Sequence, residues 1–233
     1  MTRPGRPKVP VISRREAIAA ALEIIDSQGL DKLSMRSLGA AVGVQGMSLY
    51  NHFRDKEDIL DQVAALIVED IGVPDPPRAG AGTITTDELA AWSLESATIY
   101  RQALLAHPNA IPLFVKGYPT RGRHAVFARE FEVFAEVGID PRYWLGIVRA
   151  LESLVVGSTL FLAPGHWPGR GPESADLDPV TGRAVEAPAI GADDAFGMAY
   201  AGMVRSMIER YQELSRADGQ SRPERRTQAQ SRP

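Results

Sequence analysis

The strongest constraint on the fold lies between Ser34 and Lys56, in the run Ser34-Met-Arg-Ser-Leu-Gly-Ala-Ala-Val-Gly-Val-Gln-Gly-Met-Ser-Leu-Tyr-Asn-His-Phe-Arg-Asp-Lys56. Ser34 is a helix N-cap by residue type, and Leu38, Ala41 and Val42 recur at helical spacing, so a short helix starts just after it. Gly43 ends that helix, because glycine takes the positive φ that a sharp reversal demands, and Val44 behind it can plug the corner. A second short helix is expected from Gly46 to Phe53, with Leu49 and Phe53 on one side and Ser48, Asn51 and His52 on the other. Short polar groups and one aromatic hydroxyl on so narrow a helix can enter a major groove and touch phosphates and base edges. Spacing alone leaves an ordinary αα-corner inside a helical domain as an equal alternative.

The residues themselves separate the two. Leu49-Tyr50-Asn51-His52-Phe53-Arg54-Asp55-Lys56-Glu57 resembles the signature Leu-Tyr-x-His-Phe-x-x-Lys-Glu of the tetracycline-repressor family of bacterial transcription regulators, and Ala40-Ala41-Val42-Gly43-Val44 is similar to that family's turn. The match covers the N-terminal quarter of the chain. It implies an all-α fold, with a three-helix helix-turn-helix DNA-binding domain followed by a helical ligand-binding and dimerisation domain. The implied partners are double-stranded operator DNA, a small-molecule effector and a second copy of the chain.

Taken in order, residues 1–12 form a basic arm. Arg3, Arg6, Lys8, Arg14 and Arg15 all precede the first acidic residue, Glu16, although the whole chain carries a net charge of −3. Such an arm binds phosphates or a minor groove, and Pro4, Pro7 and Pro10 make it a flexible one when free. Ser13-Arg14-Arg15-Glu16 is a capping box opening a helix with Ile18, Ala21, Leu22 and Ile25 on one face, and Gly29 ends it. The helix-turn-helix domain then spans 13–60. Asp55 caps a fourth helix with the stripe Ile59, Val63, Leu66 and Ile67, ending near Gly72-Val73-Pro74.

A helical domain over 61–215 follows. Thr85-Thr86-Asp87-Glu88 opens a helix carrying Leu89, Trp92, Ser96 and Tyr100 to about Ala106, and Pro108, Pro112 and Pro119 break the next stretch. His124 to Val137 is helical, with Phe127, Phe131 and Phe134 on it and Gly138 as its stop. Asp140-Pro141 opens a helix to about Leu162, and a last one runs from about Asp193 to Ser215. Trp144, Val148, Leu151, Val155 and Leu162 on the first, and Phe196, Tyr200, Met203, Met207 and Leu214 on the second, lie near heptad spacing. Two such helices can build a four-helix bundle with a symmetry mate or pack within one chain; the family resemblance implies the homodimer. Between them, residues 163–192 hold five prolines and five glycines and read as a long surface loop, and 216–233 as a disordered polar tail.

Little points to catalysis. There is no nucleophile elbow, P-loop or complete dinucleotide fingerprint, and His52, His107, His124 and His166 have no metal-ligand spacing. Asp176-Leu-Asp178-Pro-Val-Thr-Gly182 lacks the third oxygen ligand and terminal Glu of a calcium loop. No catalytic residue, cofactor or metal is therefore assigned, and the chain is read as a non-enzyme. The longest apolar run, Leu154 to Ala163, is too short to span a bilayer, and the N-terminus is no signal peptide. The absence of cysteine fits a cytoplasmic protein.

Further likeness extends into the second domain. Tyr100-Arg-Gln-Ala-Leu-Leu105, Phe134-Ala-Glu-Val-Gly138 and Gly157 are similar to the core of the tetracycline-binding members of the family. By that register the resemblance implies ligand-binding positions at Ser96, Tyr100, Phe114, Tyr118, Phe127, Glu130, Phe131, Leu145 and Val148. Gly72 and Phe114 stand where those members place drug- and magnesium-binding histidines, so a largely apolar effector is expected, with Glu130 and Tyr118 as polar anchors. The resemblance also implies phosphate contacts from Arg36, Ser48, Tyr50, His52 and Lys56. Gln45, Gly46, Met47 and Asn51 fall at base-reading positions; Gln45 is a weak cap and Gly46 has no side chain to offer.

Overall fold

The computed structural model describes residues 12–69, 71–72, 74–78, 83–115, 121–162 and 190–220, without the side chains of 121–126 and 218–220. The basic arm up to residue 11, most of the 163–192 stretch, Tyr118, Pro119 and the tail beyond Gln220 lie outside them. Nine α-helices, and two short 3-10 turns at Leu30–Lys32 and Pro108–Ala110, occur among the described residues. They divide between two compact units that are not contiguous in sequence, and three of the helices contribute to both.

The first unit joins residues Met1–Gly72 to Tyr100–His124 and Val156–Pro168. Its helix α1, Arg14–Gln28, begins at the expected capping box: Ser13 accepts from the Glu16 N–H and the Glu16 carboxylate accepts from the Ser13 N–H. It ends at Gly29, φ 94°, whose N–H donates to the Ile25 carbonyl at 2.8 Å. Helix α2, Met35–Ala41, starts at Ser34, and the box partner three residues on is the hydroxyl of Ser37. Gly43 takes φ 71° at the turn. Helix α3, Gly46–Leu49, is shorter than its sequence suggests. Beyond Leu49 the chain tightens into i to i+3 bonds, Tyr50 N–H to Met47 O and Asn51 N–H to Ser48 O, both at 3.3 Å. Asn51 and His52 therefore sit on a turn. The tightening lets Phe53 dive into the core, where it joins Leu38, Leu49, Ile25 and Ile59.

Helix α4, Lys56–Glu69, is capped by Asp55, whose Oδ1 accepts from the Asp58 N–H at 2.8 Å. Asp58 ties α4 to α1, since Arg14 reaches it at 3.2 Å, donates to Gln62 Oε1 at 2.7 Å and lies 5.0 Å over the Phe53 ring. Burial alone would raise the Asp58 carboxyl, but the Arg54 N–H, the Arg14 guanidinium and Gln62 outweigh it and hold it below its usual value. The end of helix α5, Thr86–Ala106, the turn Pro108–Ala110 and helix α6, Ile111–Val115, also belong to this unit. The prolines do not break this stretch as expected. Pro108 and Pro112 stand in the first turns of their helical segments, where no amide hydrogen is needed. His107 Nδ1 donates to Asp26 Oδ2 at 2.8 Å and Asn109 to the Asp26 carbonyl at 2.9 Å, anchoring the turn on α1.

The second unit joins Val73–Ile99, Ala125–Val155 and Gly169–Pro233. It contains the first part of α5, with a Thr85/Glu88 capping box, most of helix α7, Arg121–Glu136, most of helix α8, Pro141–Leu162, and helix α9, Ala192–Gln220. Leu89, Trp92, Phe134, Ile147, Leu151, Val204 and Ile208 fill its core. Gly138, φ 77°, turns α7 into α8. That corner is docked on α9, because Gln212 donates to the Val137 carbonyl at 2.8 Å and the Asp140 N–H to Ser215 Oγ at 2.9 Å. The two bonds hold α9 beyond its middle, and the helix continues past its expected end at Ser215.

Helix α8 carries Arg142, Arg149 and Glu152 yet has a mean hydropathy of 1.6 over its most apolar window, so by length and composition it could cross a bilayer. The apolar run read from sequence was shorter than this helix. Ile147, Val148, Leu151 and Val155 are core residues, and the index stays high because Leu145, Phe161 and Leu162 add exposed apolar side chains.

Candidate functional site: the helix-turn-helix surface and an apolar pocket

In the first unit, Gly39 and Gly46 let α2 and α3 touch. A Cβ on Gly39 would lie 2.8 Å from both Gly46 N and Val44 O, and one on Gly46 would lie 3.0 Å from Met35 O. With backbone against backbone at this crossing, α3 is held rigidly although it has only four residues and its N-cap Gln45 makes no side-chain capping bond. The segment presented outward is unusual for a soluble surface: Met47 is 75% exposed and Tyr50 51% exposed, flanked by exposed Gln45 and Asn51. Arg36 on α2 is exposed too, while Ser48, His52 and Lys56 are half-buried. A thioether, a phenol, two amides and a guanidinium side by side supply apolar contact for a thymine methyl and donors for base edges and phosphates.

In the second unit, a small pocket opens between α5, α7, α8 and α9. Leu89, Trp92, Ser93, Glu130, Phe134, Ile147, Leu151, Val204, Met207 and Ile208 line it, and its free space is about 10 Å³, room for about one water. Glu130 is its one ionisable lining residue. The Oε2 atom of Glu130 is shut off from solvent and has no hydrogen-bond partner. Desolvation by burial pushes this carboxyl up to about 7. Nearby, Ser93 Oγ and Tyr200 Oη share a hydrogen bond at 3.2 Å, and burial, then the Glu130 carboxyl, raise the Tyr200 hydroxyl. Trp92 is pinned by its indole N–H, which donates to the Pro74 carbonyl at 3.0 Å.

Comparison with known proteins agrees at both levels. The family profile described as "Bacterial regulatory proteins, tetR family" matches residues 17–63. The tetracycline repressor protein class A from transposon 1721 of Escherichia coli is 27% identical over 198 residues, 83% of this chain and 89% of the relative. The residues matched by that profile are those of the DNA-binding domain of TetR-family regulators, and the chain is similar to the family's tetracycline repressors over most of its length. The fold likeness reaches both halves. A single-substitution variant of TetR from Acinetobacter baumannii AYE, solved in complex with minocycline, matches with a TM-score of 0.66 at 22% identity over 86% of this chain and 95% of that one. ActR from Streptomyces coelicolor, solved with actinorhodin, matches with a TM-score of 0.69 at 19% identity over 86% and 98%.

The positions carried over from the TetR family separate into groups. The set assigned to DNA, Arg36, Gln45 to Ser48, Tyr50 to His52 and Lys56, comes together within one stretch of the first unit. Among the ligand-binding positions, Glu130 lines the pocket. Phe131 stacks on Trp144 with centroids 5.3 Å apart and lies 6.3 Å from Phe127. Ser96 turns its hydroxyl back to the Trp92 carbonyl at 3.0 Å, Val148 is buried and Leu145 is exposed. Tyr100 and Phe114 belong to the first unit, as an edge-to-face pair 6.1 Å apart. Tyr118 lies outside the described residues.

Several residues of the site were not singled out for it from sequence. Trp92 and Tyr200 were visible as members of helical stripes, which signals only burial. The Ser93 and Tyr200 hydroxyls are 107 residues apart, so no local pattern links them. Gly39 lies within the short helix after Ser34 with no local signal of its own, and only the crossing of α2 and α3 reveals what it does.

Proposed function

We propose that this chain is a TetR-family regulator, a dimeric repressor that a small, largely apolar effector releases from a pseudo-palindromic operator. The observation that carries the reading is one chain with an exposed reading turn on a close helix crossing and, separately, a small apolar pocket lined by half-buried Glu130, whose Oε2 is shut off from solvent without a hydrogen-bond partner. Ligand-bound relatives such as ActR with actinorhodin support the second half of it. Exposed apolar side chains on α8, with Phe161 65% exposed, and Met198 on α9 are what a self-associating surface offers. Two recognition helices fixed about one DNA turn apart then read an inverted repeat. An effector that favours another separation weakens DNA binding, and by linkage DNA weakens effector binding by the same factor.

In this reading Arg36, Ser48, Tyr50, His52 and Lys56 hold phosphates, and Gln45, Met47 and Asn51 read bases. Selecting genomic fragments with the purified protein tests the whole scheme, with a short inverted repeat as the expected product. A folded dimer that selects none at low salt sinks it. Lys56→Ala is expected to weaken binding evenly across sequences and to reduce the salt slope by about one. An unchanged slope removes Lys56 from the phosphate contacts.

A further inference from the structure

We propose that the effector is a lipophilic cation, an amine carried on an aromatic or alkyl body, whose ammonium group pairs with Glu130 inside the pocket of the second unit. This rests on the effector-release reading above and adds the charge of the ligand to it.

The pocket poses one unsolved problem of its own. An acceptor buried without a donor is costly, and a carboxylate more so than any neutral group. Among the described residues, every element that faces Glu130 fails to supply the missing cation. Helix α5 contributes Leu89, Trp92 and Ser93; α7 contributes Phe134; α8 contributes Ile147 and Leu151; α9 contributes Val204, Met207 and Ile208, with Tyr200 beside them. Tyr200 is the one other titratable group in this set, and its hydroxyl is already bonded with Ser93. The walls are therefore complementary to an apolar body and the single open polar valence is an acceptor. A ligand ammonium meets both, with charge-assisted N–H bonds to the carboxylate and attraction to the face of an aromatic wall.

The free space holds about one water, so such a guest enters only as the walls part. Met207, half-buried and unbranched, is the wall residue best able to move aside. A neutral alcohol of the same shape donates a hydrogen bond to an ionised Glu130 but lacks the opposite charge, and an anion is repelled by it.

The test uses the full chain and two matched probes, 2-naphthylmethylamine and 2-naphthylmethanol, titrated by calorimetry. At pH 8 the amine is expected to bind at least about tenfold tighter than the alcohol. Since Glu130 ionises near 7, amine affinity is expected to rise about tenfold from pH 6 to pH 8. In Glu130→Gln the ratio of the two affinities falls to about one, and in Glu130→Asp part of the preference returns. Equal binding of both probes by the native chain, or a preference that survives Glu130→Gln, overturns the cation while the pocket stands. If neither probe binds at millimolar concentration, the pocket reading falls with it.

Discussion

Gly39→Val is expected to cost about 3 kcal/mol or more and to abolish tight operator binding, lowering affinity at least about a hundredfold. Valine is a better helix former than glycine, which by itself would stabilise α2 by roughly 0.5 kcal/mol. The contact outweighs that gain. The new Cβ would stand 2.8 Å from the Gly46 nitrogen and from the Val44 oxygen, and neither atom is a side-chain end that can swing away. Helix α3 must shift bodily, carrying Met47 and Tyr50 with it. Thermal unfolding followed by circular dichroism reads the stability, and a fall in melting temperature of about 6–12 °C is expected for a chain of this size. Fluorescence anisotropy on the selected operator reads the affinity. A variant that melts and binds like the native chain would mean that α2 and α3 can part without cost.

The second large effect is a gain. Glu130→Gln is expected to stabilise the protein above neutral pH by up to about 3 kcal/mol, with little difference near pH 4. The folded protein holds the Glu130 proton with a pKa of about 7 against the ordinary 4.5, so it binds the proton more tightly than the unfolded chain does. The stability linked to that proton is fully present below about 4.5 and is lost as pH rises through about 7. Glutamine keeps the shape without the ionisation, so the difference between variant and native chain should open across that window. Asp61 is also raised, by burial first and by Asp58 and Glu57 beside it, but it titrates in both proteins and cancels in the difference. Denaturant melts at pH 5, 7 and 8 measure this directly, and a difference that does not vary with pH refutes it. A group that destabilises the resting protein at working pH is what a site kept for a ligand looks like.

The reading of elements from sequence succeeded where a local signal is also the physical cause. Ser13 with Glu16, Asp55, Gly43 at φ 71°, Gly138 at φ 77° and the Asp140-Pro141 start of α8 act through bonds and dihedrals within a few residues. The Leu49 to Glu57 signature belongs with them, because its residues are consecutive along one turn. The departures come where distant contacts override local pattern. Helix α3 stops at Leu49 because Phe53 is drawn into a core made by α1 and α4, and the stretch after Pro108 turns helical because His107 and Asn109 are held on Asp26.

The sequence by itself therefore determined the family resemblance, the helical class, the caps and turns, and which stretch forms the helix-turn-helix, since each depends on residues close along the chain. Tertiary structure alone decided the closeness of α2 to α3 and the state of Glu130. Both are properties of empty space, a missing Cβ between two backbones and a missing partner beside a carboxyl. Space of that kind exists only once segments far apart in sequence have packed.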